Sequence, residues 1–380
     1  MSMRRVAIVS VAQTEHKERH EETVRELVYR VAKQALSQVG LTRDELGTVI
    51  TSSSDYWTGV ACSNEYTLDA AGGFLKSIAK AEEDSALGFV YALMRVASGH
   101  FDTALVVGVT KGSEVPPAPV LTSLESEPFY QRPVGIQDLA AAAFQAMEYM
   151  RRYDVRPEQA ALVAQKNLAH AGRNAYAHRR EAPALDDILR APIVAYPLRA
   201  WDCPPASDGA CAVLLAAEGV AEKLTDRPVW VRGVGWAVDH YYLGDRDLLD
   251  GALVVAARRA YAMANIAEPR REIRVAEVCD ISSYHELLWY EQLGFCGRGE
   301  GGRLVESGAT RLEGELPVNP SGGVLASNPY VARGLVRVAE AALQVAGAAG
   351  EHQVHGATVA LAHSCHGLAA QCHTVVVLGI

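Results

Sequence analysis

Short apolar runs recur along the whole chain, and segments with helical periodicity separate them. Several runs lack the alternation of polar and apolar residues that a half-exposed sheet shows, which favours strands covered on both faces. Strands of this kind that alternate with helices are typical of a layered α/β fold. The predicted strands comprise residues 6–11, 103–109, 210–216, 229–234, 274–278, 357–362 and 374–380.

The helical segments differ in how much of their surface is apolar. Residues 22–39 carry an apolar stripe with 3.6-residue spacing, whereas residues 86–98 are apolar on almost every side, which predicts a helix buried all round. Residues 251–265 and 331–346 form amphipathic patterns. The order of strands and helices before residue 220 is similar to the order after residue 229, which indicates two halves of related topology.

A long excursion interrupts the first half. Residues 113–197 are rich in Pro, Glu, Arg and His, contain helical patterns at 137–153 and 157–170, and exceed the length of an ordinary connection. We therefore predict an inserted loop subdomain at 113–197. The N-terminal half then comprises 1–112 and 198–225, and the C-terminal half comprises 226–380.

Charge and cysteine content exclude several classes of protein. The formal net charge is −9 and the chain has no long basic run, which argues against nucleic acid as a partner. No apolar stretch approaches the ~18 residues of a membrane span. The 7 cysteines show no regular spacing, so we expect a reduced, cytoplasmic protein without a disulfide framework.

Four segments of the C-terminal half carry polar residues or glycines in positions suited to a site. The text CDISSYHE at 279–286 follows a predicted strand, where ligand sites of α/β folds are common. NPSGG at 319–323 contains a double glycine, which permits close approach of the backbone to a ligand, and SNPY follows at 327–330. AHSCHG at 362–367 lies between the last two predicted strands.

In this order, the segments resemble the thiolase superfamily, and most closely its sterol-carrier-protein-type thiolases and their thiolase-like relatives. The resemblance implies a duplicated thiolase fold, in which two βαβαβαββ halves form an αβαβα layered sandwich with an inserted loop subdomain. It covers nearly the whole chain and also includes ASGHFDTALVVGV (97–109), NAYA (174–177), SDGA (207–210) and YEQLGFC (290–296).

The chain departs from the family at three catalytic positions. Glu82 stands where the resemblance implies the nucleophilic cysteine, and the nearby Ser85 has no base that the sequence identifies. Asn328 replaces the histidine of the family's Gly-His-Pro motif. Cys279 stands at the position of an oxyanion-hole donor, a role for which a thiol is poor. Claisen chemistry by the usual thiolase mechanism is therefore not expected.

The remaining pattern is similar to thiolase-like aldolases that remove steroid side chains. These enzymes cleave a β-hydroxyacyl-CoA by a retro-aldol reaction and use tyrosines, so no covalent acyl-enzyme is needed. Tyr284 and Tyr330 are the candidates by position. A tyrosine, with a reference pKa of about 10, can act as an acid, or as a base where neighbours lower that pKa. We expect cleavage of a bulky substrate, a steroid side-chain thioester, to a ketone and a short acyl-CoA.

Further candidates surround these tyrosines. Cys365 matches the acid/base cysteine of the family's Cys-x-Gly motif, and Asp280 and His363 are additional catalytic candidates. No metal is expected, because neighbouring residues of a strand such as Cys372 and His373 face opposite ways. No cofactor is expected beyond the coenzyme A of the substrate. The candidates for binding substrate or coenzyme A are Asn328, Gly322, Gly323, Tyr242 and Arg246.

The resemblance also implies partners. These are a second copy of the chain in a homodimer and a small OB-fold/zinc-ribbon protein that binds acyl-CoA. Two alternatives stay open at this point. One is a thiolase-like acyltransferase with a relocated nucleophile, which would form a covalent acyl-enzyme. The other is a non-catalytic thiolase-like scaffold that binds acyl-CoA and leaves a β-hydroxyacyl-CoA unchanged.

Overall fold

The computed structural model describes residues 4–380 and contains a 9-stranded sheet and a 2-stranded one. All of the strands predicted from apolar runs are present. The strands are β1 (Val6–Gln13), β2 (Thr48–Ser53), β3 (Ser77–Glu82), β4 (Thr103–Thr110), β5 (Ile193–Ala195), β6 (Leu198–Arg199), β7 (Gly209–Ala217), β8 (Val229–Val238), β9 (Val275–Glu277), β10 (Val359–His366) and β11 (Cys372–Gly379).

The predicted helices are also present, together with several short ones that connect them. No helix in residues 4–380 is both long enough and apolar enough to cross a membrane. The α-helices are α1 (Val24–Ser37), α2 (Asp55–Thr58), α3 (Ser63–Thr67), α4 (Ser85–Ala97), α5 (Ala118–Ser123), α6 (Asp138–Tyr153), α7 (Pro157–Ala171), α8 (Leu185–Arg190), α9 (Ala221–Leu224), α10 (Ala252–Ala264), α11 (Pro269–Glu272), α12 (Ser283–Gln292), α13 (Gly301–Glu306), α14 (Gly323–Ala326) and α15 (Arg333–Ala346).

The sheet contains the same topology twice. Its order is β3-β2-β4-β7-β1-β8-β11-β10-β9, so β1 and β8 meet at its centre. Outward from β1, the pairings with β7 and β4 are antiparallel and those with β2 and β3 are parallel. Outward from β8, β11 and β10 pair antiparallel, β9 pairs parallel, and a parallel bridge joins Ala276 to Val318. The prediction of two related halves is confirmed.

Alternate faces of the strands are buried in different apolar clusters, which produces five layers. Helix α1 covers the outer face of β1, β4 and β7. Helices α4 and α15 lie in the middle, between the strands of the two halves. Helices α10 and α12 cover the outer face of β10 and β11. The central strands β1, β4, β7, β10 and β11 are therefore buried on both faces, as their continuous apolar sequences predict.

The excursion between β4 and β7 packs onto the C-terminal half. Its helices α6 and α7 are alanine-rich, and small side chains such as Ala142, Ala146, Ala160 and Ala164 are buried in the same cluster as α12. Small side chains let helix backbones approach closely, so α6 and α7 pack tightly against α12. In this arrangement Asp138, at the start of α6, lies within hydrogen-bond distance of Tyr330, just before α15.

Candidate active site

The turn between β3 and α4 occupies the position where the family resemblance implies a nucleophile. Asp84 caps α4, and its carboxylate accepts a 2.9 Å hydrogen bond from the amide of Ala86. Glu83 has a φ of 59°, in the left-handed region. Ser85 is fully buried and its hydroxyl oxygen accepts a 2.8 Å hydrogen bond from the amide of Leu335. Ser85 is therefore a structural contact between α4 and α15.

Asp84 also joins the two halves through the β10–β11 pair. Its carboxylate accepts hydrogen bonds from Ser364 Oγ (2.9 Å) and Thr374 Oγ1 (2.8 Å). Nδ1 of His366 lies 3.7 Å from Asp84 Oδ2. Burial opposes ionisation of Asp84, but His366 and the two hydroxyl donors outweigh it and hold the pKa of Asp84 at about 2. Asp84 is therefore an anion under all ordinary conditions.

A cavity of about 240 Å³ lies between the excursion and the C-terminal half. Its walls are mostly apolar, with a few convergent polar groups, which is the usual composition of a ligand site. The side chains that matter below are Trp57, Gln137, Asp138, Asn328, Tyr330 and Arg333.

Tyr330 is held on three sides in this cavity. Its ring stacks on Trp57 with a centroid distance of 4.0 Å, and the guanidinium of Arg333 lies 4.4 Å from the same ring. Its hydroxyl donates a 2.9 Å hydrogen bond to Oδ2 of Asp138. Burial and the carboxylates of Asp138 and Glu125 raise the pKa of Tyr330 well above 10. This shift is opposite to the one that a basic tyrosine needs, and it keeps Tyr330 in the protonated form that a general acid requires.

Three carboxyl groups gather near Tyr330, and each is harder to ionise than usual. Burial raises the pKa of Asp138 and of Glu83. Burial and the neighbouring charges of Glu83 and Asp138 raise the pKa of Glu125 to about 9. Arg333 opposes these shifts. Carboxyl groups with raised pKa values next to a phenol can exchange protons with a substrate near neutral pH.

The structure separates the two candidate tyrosines. Tyr284 lies in the first turn of α12 and is buried in the core of the C-terminal half. Ile281, in the preceding loop, lines the Tyr330 cavity, whereas Tyr284 is not among the described residues that line it. Burial and the carboxylate of Asp202 raise the pKa of Tyr284. Of the two candidate tyrosines, Tyr330 is therefore the one that lines this cavity.

Asp280 and the double glycine form one turn. The Asp280 carboxylate accepts hydrogen bonds from the amides of Val324 (2.5 Å) and Leu325 (3.3 Å). Gly322 and Gly323 both have positive φ, and a Cβ on Gly323 would lie 2.5 Å from Asp280 Oδ1. Glycine is required at position 323, because any other side chain would clash with the Asp280 carboxylate and would strain the backbone at this positive φ. None of these three residues is among those described as lining the cavity.

His363 and Cys365 point to the opposite face of β10 from His366. His363 Nδ1 accepts a hydrogen bond from the amide of Cys279, and its Nε2 lies 2.9 Å from His373 Nδ1. Burial lowers the pKa of His363 to about 3, so it is a neutral ring with both nitrogens engaged. Cys365 is buried against the carbonyl oxygen of Cys279, and burial raises its pKa well above the usual value for a thiol.

The predicted binding residues also occupy different places. Asn328 lines the cavity, and its Oδ1 is buried without a hydrogen-bond partner, which leaves an acceptor for a ligand. Arg246 donates to the carbonyls of His240, Tyr241 and Leu368, so it fixes the loop after β8. Tyr242 lies in that loop and is 39% exposed.

Three important residues escaped the sequence analysis. Asp138 and Glu125 belong to the excursion, and Arg333 belongs to α15, which the sequence predicts as an amphipathic helix. An arginine within the apolar stripe of a helix is unusual, and only this feature of the sequence pointed to Arg333. Within residues 4–380, no cluster of three or more His, Cys, Asp or Glu side chains is arranged to hold a metal ion.

Comparisons with known proteins agree with this architecture. Residues 235–380 match the family model "Thiolase C-terminal domain-like". The chain is 32% identical over 374 residues to an acetyl-CoA acetyltransferase of Methanothermobacter thermautotrophicus, covering 96% of this chain and 97% of that protein. It is 33% identical over 225 residues to human sterol carrier protein 2, covering 57% of this chain and 41% of that protein.

A solved structure described as "Ltp2-ChsH2(DUF35) aldolase" has the same fold. It superimposes with a TM-score of 0.85 at 22% sequence identity, covering 100% of this chain and 98% of the other. The similarity extends over both halves and the excursion between them, so the whole chain has this fold.

Proposed function

Because this chain belongs to the thiolase superfamily, in the branch of the sterol-carrier-protein-type thiolases, we propose that it is an aldolase. Its substrate would be a bulky β-hydroxyacyl-CoA, a steroid side-chain thioester, which it cleaves by a retro-aldol reaction to a ketone and a short acyl-CoA. The observation that carries the proposal is the pairing of Tyr330 with Asp138 in the cavity, in a chain that has Glu82 where the family has its nucleophilic cysteine.

The Tyr330–Asp138 pair supplies the proton transfers of this reaction. Asp138 takes the proton of the β-hydroxyl, whose electron pair forms the C=O bond of the ketone. The bond between the α- and β-carbons breaks, and its electron pair passes into the enolate of the acyl thioester. Tyr330 then protonates the α-carbon and is reprotonated by Asp138 through their 2.9 Å hydrogen bond. The pair ends unchanged, and no covalent acyl-enzyme forms.

Two further cavity residues suit the charges that develop. The guanidinium of Arg333 is buried beside Tyr330, and burial strengthens its attraction for an enolate oxygen. The unpartnered Oδ1 of Asn328 can accept a hydrogen bond from the substrate or its pantetheine arm. Trp57 and the apolar wall give the bulky ketone portion a surface to pack against.

The proposal includes two protein partners. Phe129, Tyr130 and Val134 are 80%, 74% and 73% exposed on the excursion, which also forms one wall of the cavity, and exposed apolar side chains of this kind favour a protein contact. We propose that a small OB-fold/zinc-ribbon protein that binds acyl-CoA covers it. The similar structure described as Ltp2-ChsH2(DUF35) aldolase supports a partnership of this kind. β3 is an edge strand of the sheet, and it suits pairing with a second copy of the chain.

An acyltransferase is the second candidate. The specific observation in its favour is the full-length similarity to a protein named acetyl-CoA acetyltransferase. Three observations argue against it. Carboxylates occupy the start of α4, the Ser85 hydroxyl is already hydrogen-bonded to the amide of Leu335, and burial raises the pKa of the Cys365 thiol. A scaffold without catalytic function would not explain the Tyr330–Asp138 pair in the cavity, which argues against this alternative.

The deciding experiment is co-expression with a small OB-fold/zinc-ribbon protein that binds acyl-CoA, followed by an assay of ketone release from a β-hydroxyacyl-CoA. Release of a ketone and a short acyl-CoA in equal amounts supports the aldolase. Release of coenzyme A with an acylated product instead supports the acyltransferase. An intact substrate with the purified complex supports the scaffold. Tyr29→Phe, a substitution on the exposed face of α1, is the matched control for the tyrosine variants.

A further inference from the structure

On one face of the β10–β11 pair, His366 and Cys372 lie beside each other, and the Asp84 carboxylate from the turn before α4 packs against the same face. His366 and Cys372 are directly opposed across this antiparallel pair, as are Ser364 and Thr374. Side chains two positions apart share a face of a strand, so all four project the same way. Both hydroxyls donate to Asp84, and His366 Nδ1 lies 3.7 Å from the same carboxylate.

This group borders a cavity of its own. The cavity has a volume of about 640 Å³ and includes Cys372, His366, Asp239 and Arg259 in its walls. None of the described residues that line it lines the Tyr330 cavity. Cys372 is partly exposed there, whereas Cys279 and Cys365, on the other face, are buried. A molecule can therefore reach the Cys372 thiol without entering the proposed aldolase site.

The surroundings of Cys372 favour a reactive thiol. Burial alone would lower the pKa of His366, but its interactions with Asp84 and Cys372 outweigh burial and raise that pKa to about 10. A protonated imidazole beside a thiol stabilises the thiolate, and the Asp84 carboxylate, 3.7 Å from the imidazole, favours its protonated form. His366 Nδ1 has no hydrogen-bond partner in the described chain, so the ring can exchange a proton with an arriving group.

We propose that Cys372 is a second nucleophilic site, which accepts the acyl group of an acyl thioester, with His366 as its proton donor and acceptor. Cys372 Sγ attacks the thioester carbonyl, and a new thioester bond forms. The bond between the carbonyl carbon and the sulfur of coenzyme A breaks, and coenzyme A leaves with the electron pair and takes a proton from His366. Asp84 is a positioning residue. This site does not use Tyr330 or Asp138, so it stands apart from the retro-aldol proposal.

Acetyl-CoA is the probe for this site. The wild-type protein, Cys372→Ser, His366→Gln and Cys62→Ser are incubated with it, and acetylated peptides are mapped by mass spectrometry. Cys62, exposed and on the short helix-rich segment after β2, is the matched control cysteine. We expect one acetyl group on Cys372 in the wild type and in Cys62→Ser. We expect none at that position in Cys372→Ser, and acylation slower by about tenfold or more in His366→Gln.

A second measurement needs no variant. Wild-type protein is alkylated with iodoacetamide with and without prior incubation with acetyl-CoA, and the extents of alkylation at Cys372 and Cys62 are compared. Acetyl-CoA should protect Cys372, because an acylated sulfur is no longer a nucleophile, and should leave Cys62 unprotected. Absence of acetylation at Cys372 in the folded wild type, or equal alkylation of Cys372 with and without acetyl-CoA, overturns the proposal. Tyr330→Phe should still be acetylated, so failure of the aldolase and failure of this site give different results.

Discussion

The hydroxyl of Tyr330 donates a 2.9 Å hydrogen bond to Oδ2 of Asp138, although the two residues are 192 positions apart in the sequence. Tyr330 precedes α15, in the middle layer, and Asp138 begins α6, in the excursion. Both side chains line the same cavity. The bond forms only when the excursion docks onto the C-terminal half, so the proposed site is assembled by tertiary contact.

Tyr330→Phe should abolish most of the activity and leave the fold intact. The change removes one hydroxyl and keeps the ring stacked on Trp57, so packing is nearly conserved. Loss of a general acid should lower turnover by about 10²–10⁴-fold. A structural hydrogen bond alone would cost only about 1 kcal/mol of stability. Turnover at saturating substrate and the melting temperature are measured together. A variant that keeps turnover within about threefold would show that Tyr330 is not the acid.

Tyr284→Phe tests whether one tyrosine or two take part in the reaction. The sequence suggested that Tyr284 and Tyr330 act together, but only Tyr330 is among the described residues that line the cavity. We therefore expect Tyr284→Phe to keep turnover within about threefold of the wild type, a change of barrier under about 1 kcal/mol. A loss of turnover equal to that of Tyr330→Phe, at an unchanged melting temperature, would restore the two-tyrosine mechanism.

The fold was more predictable than the site. Continuous apolar runs identified the central strands, whereas the sequence predicted no ranges for β2 and β3, because TVITSS and SIAKAE are short and half polar. Edge position explains the polarity of β3, which is partly exposed along its length. The motifs of the C-terminal half led to Tyr330 and Asn328. Asp138 and Glu125 could not be found in the same way, because their role depends on where the excursion docks.

Glu125→Gln should stabilise the protein at neutral and alkaline pH. Burial and the charges of Glu83 and Asp138 raise the pKa of Glu125 to about 9 in the folded chain, against a usual value near 4.3 in an unfolded chain. The folded state therefore holds a proton that the unfolded state has released, and stability falls as pH rises between these two values. The variant carries no such proton and avoids this loss.

The expected gain for Glu125→Gln at pH 8 is at least about 1 kcal/mol, the equivalent of one unit of pKa shift. It should vanish near pH 4, where both states of the wild type are protonated. Chemical denaturation at the two pH values measures it, with the exposed Glu351→Gln as the control. A gain that is the same at both pH values would mean that the Glu125 carboxyl ionises normally.

Iodoacetamide should leave ketone release largely intact. The proposed aldolase site uses no cysteine, and the two thiols nearest the family's motif positions, Cys279 and Cys365, are buried. Cys372 should be alkylated, but it borders a different cavity from Tyr330. Turnover is therefore measured before and after complete alkylation of Cys372, as verified by peptide mapping. Complete inactivation that substrate prevents would favour the acyltransferase.

Gly334→Ala should destabilise the protein by disturbing the contact between the two halves. Gly334 lies in the first turn of α15, where a Cβ would sit 2.4 Å from Ser364 Oγ and 2.7 Å from Asp84 Oδ1. Neither atom can move away cheaply, because Ser364 donates to Asp84 and Asp84 caps α4. In an open helix, alanine would be the more stable residue by roughly 1 kcal/mol. Here the steric overlap of the added Cβ with Ser364 and Asp84 should instead lower the free energy of unfolding by about 1–3 kcal/mol.

The control for this substitution is Gly112→Ala, where the nearest atom to an added Cβ lies 3.9 Å away, an ordinary contact. Both variants are compared with the wild type by chemical denaturation. Destabilisation by Gly334→Ala alone supports the close approach of α15 to Asp84. Because Asp84 also positions His366, acetylation of Cys372 should slow in Gly334→Ala under conditions where the variant remains folded. An alanine variant that is as stable as the wild type would show that α15 does not pack as tightly against this carboxylate as the geometry requires.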